Sequence, residues 1–137
     1  MGCNAVILLD THALIWLDQG SDKLGSQSRS AIDAAFGSDS LTVSAISFWE
    51  IAMLKRKGRL QMPPVKRWRQ ELLNSGLNEI PVDGMICIAS IGLPHFHPDP
   101  ADRIIVATAT HHDATLVTAD TKILAWNDEL KRIDARS

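Results

Sequence analysis

The chain has 137 residues, of which 45% are hydrophobic and 22% are charged. This length and balance are typical of one globular domain and exclude disordered and collagen-like architectures, so we expect a single domain over residues 1–137. Fourteen Lys and Arg residues against sixteen Asp and Glu residues give a net charge of −2. The overall charge provides no general attraction for nucleic acid, and any such partner requires a local basic surface.

Cysteine and hydropathy patterns predict a cytoplasmic protein. Cys3 and Cys87 are far apart in the chain and form no C-x-x-C motif, which suits a reducing compartment without disulfides. Apolar runs such as residues 5–9 are much shorter than the roughly 20 residues that a membrane-spanning helix needs. No basic leader precedes that run, so we expect neither a signal peptide nor a membrane partner.

Segments typical of strands and of helices alternate along the chain. In chain order, the pattern predicts a strand over residues 5–9, helices over 11–18 and 28–36, a strand over 41–45, helices over 46–57 and 65–73, a strand over 77–82, helices over 85–91 and 101–112, a strand over 115–117, a helix over 122–126 and a strand over 131–134. Glycines follow several of these helices, as is common at helix ends. The alternation predicts a three-layer α/β/α fold with a central parallel sheet.

Acidic residues stand where predicted strands give way to helices. Asp10 and Asp120 follow two strands, and ligands of open α/β sheets bind beyond the carboxyl ends of the strands. Aspartate is also a preferred helix N-cap, so both interpretations stay open for these two residues. Asp99 followed by Pro100 is the pattern of an N-cap and a first-turn proline. Asp102 then lies in the first turn, where the helix dipole favours negative charge.

Glu50 occupies an unusual position for a carboxylate. Around a helix of 3.6 residues per turn it falls within an apolar arc that includes Ile46 and Leu54. One interpretation is an internal ion pair with Lys57, which lies on the same side of the helix. The other is that Glu50 points to the strand ends and joins the aspartates there.

Convergence of these carboxylates would require a counter-charge. Two unit charges 4 Å apart repel by about 4 kcal/mol at an effective dielectric constant of 20. Either some of the acids are protonated at neutral pH or a divalent cation holds them together. Hard oxygen ligands favour Mg²⁺ or Mn²⁺ over softer metals, so a Mg²⁺ or Mn²⁺ site is the simpler explanation.

Four segments of the sequence, taken in order, resemble the motifs of PIN-domain ribonucleases, and above all of the VapC-type toxins of toxin–antitoxin pairs. The resemblance extends from Val6 to about Trp126. The segments are Leu8-Leu9-Asp10-Thr11-His12, Ser44-Ala45-Ile46-Ser47-Phe48-Trp49-Glu50-Ile51-Ala52, Asp99-Pro100-Ala101-Asp102-Arg103 with Ala107, and Leu116-Val117-Thr118-Ala119-Asp120.

The resemblance implies a PIN-like fold and a Mg²⁺- or Mn²⁺-dependent endoribonuclease, a hydrolase of RNA phosphodiester bonds. It assigns catalysis and metal binding to Asp10, Glu50, Asp102 and Asp120, with one or two ions. Thr11 and Thr118 match hydroxyl residues that support the acids in relatives, whereas we expect Asp99 to cap its helix rather than to bind metal.

The resemblance also implies two protein partners. Similar toxins pair with a small cognate antitoxin, which masks the acidic pocket and often supplies a basic side chain to it. They also commonly form homodimers.

Contact with RNA requires positive charge, and the densest basic stretch follows Glu50. It contains Lys55, Arg56, Lys57, Arg59, Lys66, Arg67 and Arg69. For each of them a solvated helix face is the alternative to a phosphate contact. We select Lys57 as a candidate RNA contact, and also Arg103, which we expect to touch a phosphate or a neighbouring carboxylate.

Other chemistries have weaker support in the sequence. His95 and His97 flank Phe96, but two histidines without a third nearby ligand make a poor zinc site, so we expect a loop role for them. A phosphohydrolase of the haloacid-dehalogenase type would use Asp10 as nucleophile, yet that chemistry usually needs a second aspartate where His12 stands. A non-catalytic Rossmann-like binding module, with Asp10 and Asp120 as caps and Glu50 paired to Lys57, is the remaining alternative.

Overall fold

The computed structural model describes residues 5–137, so Cys3 lies outside the described residues. Within them, five strands form one sheet in which every neighbouring pair is parallel. The strands are β1 (Ile7–Leu9), β2 (Leu41–Ser44), β3 (Asn78–Ile80), β4 (Thr115–Thr118) and β5 (Arg132–Asp134). All five predicted strands are present, and β1 and β3 are shorter than the apolar runs that predicted them.

The helices also lie where the sequence predicts them. They are α1 (Thr11–Gln19), α2 (Ser26–Gly37), α3 (Ala45–Arg56), α4 (Val65–Ser75), α5 (Gly84–Ile91), α6 (Pro100–His111) and α7 (Thr121–Ala125). Gly20 ends α1 in the left-handed conformation, with φ at 62°, which a glycine adopts without steric cost. None of the described helices is long and apolar enough to cross a bilayer.

Side chains that alternate along the strands build two hydrophobic cores, one on each face of the sheet. Ile7 and Leu9 of β1 pack with residues of α1 to α4, whereas Leu8 packs with residues of α5, α6 and α7. Leu8 is fully buried, and burial of a leucine side chain contributes roughly 1.5–3 kcal/mol. Helices therefore cover both faces, which confirms the predicted three-layer α/β/α fold.

The order of the strands brings two acidic junctions together. The sheet runs β3-β2-β1-β4-β5, so the chain builds outward from β1 to β3 and then returns to add β4 on the other side of β1. Ligands of such sheets bind at this switch in strand order, beyond the carboxyl ends of the two strands. Asp10 follows β1 and Asp120 follows β4, so the two carboxylates flank this switch point.

Candidate functional site

A pocket of about 390 Å³ lies beyond the carboxyl ends of β1 and β4. It collects side chains from five separate segments of the chain, including the four acids that the sequence analysis singled out. The lining residues are Asp10, Thr11, His12, Trp16, Glu50, Asp99, Asp102, Ala119, Asp120 and Arg136. The fold thus brings the predicted acids to one concave surface.

Asp10 is the most buried of these acids, with 6% of its surface exposed. Its Oδ1 accepts a hydrogen bond from the Ala13 backbone N–H at 2.8 Å, which caps α1. Its Oδ2 accepts a hydrogen bond from the Thr118 hydroxyl at 2.5 Å. Burial nevertheless raises the pKa of Asp10 above its ordinary value, against the lowering effect of these two donors. A nearby cation would relieve this cost of ionisation.

Glu50 projects from α3 toward the same pocket and is half-buried. Its Oε1 accepts a hydrogen bond from the Thr11 hydroxyl, and that hydroxyl also contacts the fully buried Ser47 Oγ at 2.9 Å. Burial raises the pKa of Glu50, and the negative charges of Asp99 and Asp10 raise it further. Within residues 5–137, the ion pairs do not include one between Glu50 and Lys57.

Two aspartates reach the pocket from the start of α6. Asp99 caps this helix, because its Oδ1 accepts a hydrogen bond from the Asp102 backbone N–H at 3.0 Å. Asp102 lies one turn further and points into the pocket. Burial raises the pKa of Asp102 to about 7, and the charges of Asp99, Asp120, Glu50 and Asp10 all act in the same direction. All four other acids of the pocket therefore disfavour the ionisation of Asp102.

Asp120 combines a structural role with a place in the pocket. Its Oδ1 accepts hydrogen bonds from the backbone N–H groups of Lys122 and Ile123 at 2.8 and 3.1 Å, which caps α7. Its own backbone N–H donates to the Thr118 hydroxyl at 3.1 Å. Capping and a place in the pocket were alternatives for Asp10 and Asp120 in the sequence analysis. The structure shows that each residue caps a helix and also lines the pocket.

The donor set of the pocket fits a hard divalent cation. Four carboxylates from different elements surround it, and oxygen ligands of this kind are those that Mg²⁺ and Mn²⁺ prefer. Burial and mutual repulsion raise the pKa values of Asp10, Glu50 and Asp102. A dication offsets both effects, so the residues present fit the cation that the sequence analysis expected.

Arg103 does not take the role that the sequence analysis gave it. All five of its N–H donors point at backbone carbonyls of the segment between α5 and α6 and of the end of α5. The acceptors are the carbonyl oxygens of Ser90, Ile91, Leu93, Phe96 and His97. The prediction that Arg103 touches a phosphate or a neighbouring carboxylate was therefore wrong, because no donor of this guanidinium remains for either.

The basic stretch after Glu50 is partly engaged as well. Arg69 donates two hydrogen bonds to Glu79, at 2.8 and 2.6 Å, and this guanidinium lowers the pKa of Glu79. Arg67 lies 3.7 Å from Glu71, and the Lys55 ammonium donates to the Pro63 carbonyl oxygen at 3.1 Å. Lys57 is exposed at the end of α3, which keeps it available as a candidate RNA contact.

Two residues of this region were not assigned to the site by the sequence analysis. Arg136 lines the pocket, where its guanidinium donates to the Ala119 carbonyl oxygen at 2.9 Å and lies 5.5 Å from the centre of the Trp16 ring. His97 places its Nε2 3.3 Å from Asp102 Oδ2, although a loop role was expected for it. Neither residue lies within one of the four motifs, so only the tertiary structure shows their position.

Comparison with known proteins identifies the family. The PIN domain family model matches residues 7–128. Over 119 residues the chain is 35% identical to Ribonuclease VapC22 of Mycobacterium tuberculosis (strain ATCC 25618 / H37Rv), a match that covers 85% of this chain and 88% of that protein.

Solved structures share the fold. A toxin–antitoxin complex from Klebsiella pneumoniae contains a chain with a TM-score of 0.64 and 24% identity, covering 94% of this chain and 97% of that one. VapBC2 from Rickettsia felis, solved with a DNA fragment from its promoter, gives a TM-score of 0.63 and 17% identity, covering 93% and 98%. The family model and the relative that is 35% identical confirm the family that the four sequence motifs indicated. The chain belongs to the PIN-domain family and, within it, to the VapC-type ribonuclease toxins.

Proposed function

We propose that the chain is a Mg²⁺- or Mn²⁺-dependent endoribonuclease, folded as a single PIN domain over residues 1–137, and the toxin of a toxin–antitoxin pair. The observation that carries the proposal is the pocket that collects Asp10, Glu50, Asp102 and Asp120 at the switch point of the sheet. Buried carboxylates with raised pKa values in a cleft are typical of catalytic sites.

The four acids divide into holding and positioning roles. Asp10, Glu50 and Asp102 would hold a cation, and Asp120 would bind a second ion or orient the attacking water. Thr118 and Thr11 fix the carboxylates of Asp10 and Glu50 through their hydroxyls, as ligand-orienting residues do in metal sites. When bound, the cation lowers the pKa of a coordinated water and offsets the charge that develops on the phosphate in the transition state.

Without a cation the pocket would repel RNA, because the five carboxylates that line it face a polyanion. Arg136 offers a positive charge on the pocket wall, and Lys57 offers another at the end of α3. Arg136 replaces Arg103 as the arginine that we assign to phosphate contact. Phosphate contacts of this kind fix the position of the RNA and carry no sequence information themselves.

An antitoxin is the proposed protein partner of the pocket. Two of the similar structures are toxin–antitoxin complexes, one from Klebsiella pneumoniae and one named VapBC2. The acidic lining of the pocket is complementary to a basic side chain supplied by such a partner. Binding there would cover the carboxylates and exclude RNA.

A second copy of the chain is the proposed partner of the α5 apolar face, formed by Met85, Ile88 and Ile91. These residues follow one another at helical spacing and are 64%, 74% and 78% exposed. A groove beside them is lined mostly by apolar side chains, including Ile104 and Pro98. Contiguous exposed apolar residues mark interaction sites, and a two-fold dimer buries the same face of both copies at once.

The phosphohydrolase alternative does not fit the sequence around Asp10. That chemistry usually needs a second aspartate where His12 stands, and the family model that matches residues 7–128 is that of the PIN domain. The other alternative, a non-catalytic module, required the ion pair between Glu50 and Lys57 that the described residues do not form.

Cleavage assays test the proposed function. Purified protein, freed of any co-purifying partner, is incubated with structured RNAs in Mg²⁺, in Mn²⁺ or in chelator. We expect cleavage only with the cations, and its loss in Asp10→Asn and Asp102→Asn with unchanged circular dichroism. The matched control Asp33→Asn, at an exposed position of α2, should cleave normally. Undiminished cleavage by both site variants, or equal cleavage in chelator, would refute the proposal.

A further inference from the structure

His97 lines a pocket that adjoins the acidic pocket and shares Asp102 and Asp120 with it. Its Nε2 is buried and lacks a hydrogen-bond partner among the described residues. The same atom lies 3.3 Å from Asp102 Oδ2 but forms no hydrogen bond with it. One ligand atom from each of His97, Asp102 and Asp120 lies within 4.8 Å of the other two. A buried polar atom without a partner costs folding free energy. A ligand between the three side chains that contacts Nε2 would remove this cost.

The position of the His97 ring follows from several contacts. The ring packs against Phe96, with 4.4 Å between ring centres, and Phe96 in turn packs edge-on against Trp126 at 5.1 Å. Arg103 Nη1 donates to the carbonyl oxygens of Phe96 and His97 at 3.0 and 3.1 Å. The exposed fraction of the His97 side chain is 13%. The core and the Arg103 guanidinium therefore hold the imidazole toward Asp102.

The chemistry of the three donors differs from that of the carboxylate cluster. An imidazole nitrogen suits first-row transition metals, whereas Mg²⁺ prefers a shell of oxygens only. Zinc or a similar ion places nitrogen and oxygen ligands roughly 2.0–2.2 Å from itself, so ligands on opposite sides of one ion are about 4 Å apart. The three donor atoms lie within 4.8 Å of one another, and His97 Nε2 lies 3.3 Å from Asp102 Oδ2, so the space between them is of the size that one such ion occupies. One nitrogen and two carboxylate oxygens thus form a mixed set that favours Mn²⁺ over Mg²⁺.

We propose that His97 Nε2 and the carboxylates of Asp102 and Asp120 form a distinct cation site that binds transition-metal dications such as Mn²⁺ in preference to Mg²⁺. The site shares Asp102 with the cation held by Asp10 and Glu50. It rests on the proposed metal-dependent function and adds a nitrogen ligand and a metal preference to it. Arg103 is the positioning residue, because it fixes the backbone on either side of the Phe96–His97 peptide.

Calorimetric titration without RNA measures the contribution of His97 to metal affinity. Mn²⁺ and Mg²⁺ are titrated separately into the wild type and into His97→Asn. Loss of the supporting shell of a metal site costs 10–100-fold in affinity, so removal of a ligand should weaken Mn²⁺ binding at one site by about tenfold or more. Mg²⁺ affinity should stay the same. Equal Mn²⁺ affinity in the two proteins would overturn the proposal.

His95→Asn is the matched control. His95 is exposed in the same loop and has a positive φ of 53°, which asparagine tolerates. This variant removes a histidine two positions away without touching the pocket. It should bind Mn²⁺ as the wild type does, and a loss equal to that of His97→Asn would assign the effect to the loop and contradict the proposal.

A spectroscopic measurement detects the nitrogen directly and does not depend on the folding of a variant. Electron spin-echo envelope modulation (ESEEM) spectroscopy of bound Mn²⁺ should show coupling to a ¹⁴N nucleus in the wild type and in His95→Asn, and none in His97→Asn. Absence of coupling in the wild type would overturn the proposal, as would coupling that persists in His97→Asn, for instance from His12. If the wild type binds neither cation, the proposed function fails as well; Mn²⁺ binding without nitrogen coupling refutes the His97 site alone.

Discussion

Thr118 donates a hydrogen bond of 2.5 Å to Asp10 although the two residues are 108 positions apart in the chain. The contact joins the ends of β4 and β1, the two strands that flank the switch point. Thr118 is fully buried, and its hydroxyl also accepts a hydrogen bond from the Asp120 backbone N–H. One hydroxyl therefore sets the relative positions of two acids of the pocket.

Replacement of this hydroxyl should impair the site while retaining the shape of the side chain. In Thr118→Val the buried Asp10 oxygen loses its donor, which should cost about 1–3 kcal/mol of unfolding free energy. RNA cleavage should fall by about 10- to 100-fold, as it does when the partner of a metal ligand is removed. Urea unfolding and initial cleavage rates measure the two effects.

Thr118→Ser is the control for this prediction. It keeps the hydroxyl and removes one methyl group, whose burial contributes about 0.8 kcal/mol. It should therefore lose some stability and keep most of the cleavage activity. Equal activity losses in the valine and serine variants would show that packing, rather than the hydrogen bond, is what Thr118 supplies.

The metal-free protein should become more stable when Asp102 is neutralised. The folded-state pKa of Asp102 is about 7 against an ordinary value of 3.8, so the folded state binds this proton more tightly than the unfolded state. The stability that this group contributes is complete below pH 3.8 and is lost as the pH rises through about 7. In chelator, Asp102→Asn should therefore exceed the wild type in melting temperature at pH 7 to 8, and the difference should shrink toward pH 4.

Differential scanning calorimetry across this pH range tests the prediction. The slope of the stability difference should stay below about 1.4 kcal/mol per pH unit, the limit for one proton, because solvent reaches the pocket and screens the charges. Saturating Mg²⁺ should remove or reverse the advantage of the variant. A stability difference that does not change with pH would mean that Asp102 titrates alike in the folded and unfolded states.

Arg103 should matter for folding rather than for RNA contact. Arg103→Lys removes a guanidinium that serves five backbone carbonyls, and we expect a loss of about 2–4 kcal/mol in unfolding free energy. Arg67→Lys is the control, since Arg67 is exposed and pairs only with Glu71; its effect should stay within about 0.5 kcal/mol. Unchanged stability of Arg103→Lys together with weaker RNA binding would restore the original interpretation of this residue.

A charge on the α5 apolar face should dissociate the proposed homodimer. Ile88 is 74% exposed, so Ile88→Glu should leave the folded chain intact and shift its sedimentation coefficient to that of a monomer. Phe36→Ser is the control, because Phe36 is another large exposed apolar side chain, 51% exposed on α2. A dimer that persists in Ile88→Glu, or that dissociates in Phe36→Ser, would place the interface elsewhere.

Local sequence signals were sufficient to predict the sheet and the helices and to single out four acids that the structure brings into one pocket. Aliphatic runs such as the one ending at Asp10 are typical of buried parallel strands, and helix ends follow from glycine and from capping aspartates. The interpretations of Asp10 and Asp120 as caps or as site residues stayed open, because the sequence does not show that one side chain can do both. In the structure, Asp10 uses one oxygen for the cap and the other for Thr118.

The sequence analysis was less successful where neighbours along the chain were taken as neighbours in space. Consecutive residues of a helix point in different directions, so Arg103 turns away from Asp102 and toward the preceding loop. Glu50 and Lys57 are two helical turns apart, about 10 Å along the axis, and do not pair. His97 reaches Asp102 only because the loop before α6 folds back, and no spacing rule predicts that return.

Location of Mn²⁺ by anomalous diffraction from crystals of the antitoxin-free protein tests the central claim most directly, since it asks whether the carboxylates at the switch point hold a cation. The account predicts an anomalous peak in contact with Asp10 and Asp102, lost in Asp102→Asn. An anomalous difference map without a peak at these carboxylates, from crystals grown with Mn²⁺ at a concentration that supports RNA cleavage, would contradict it.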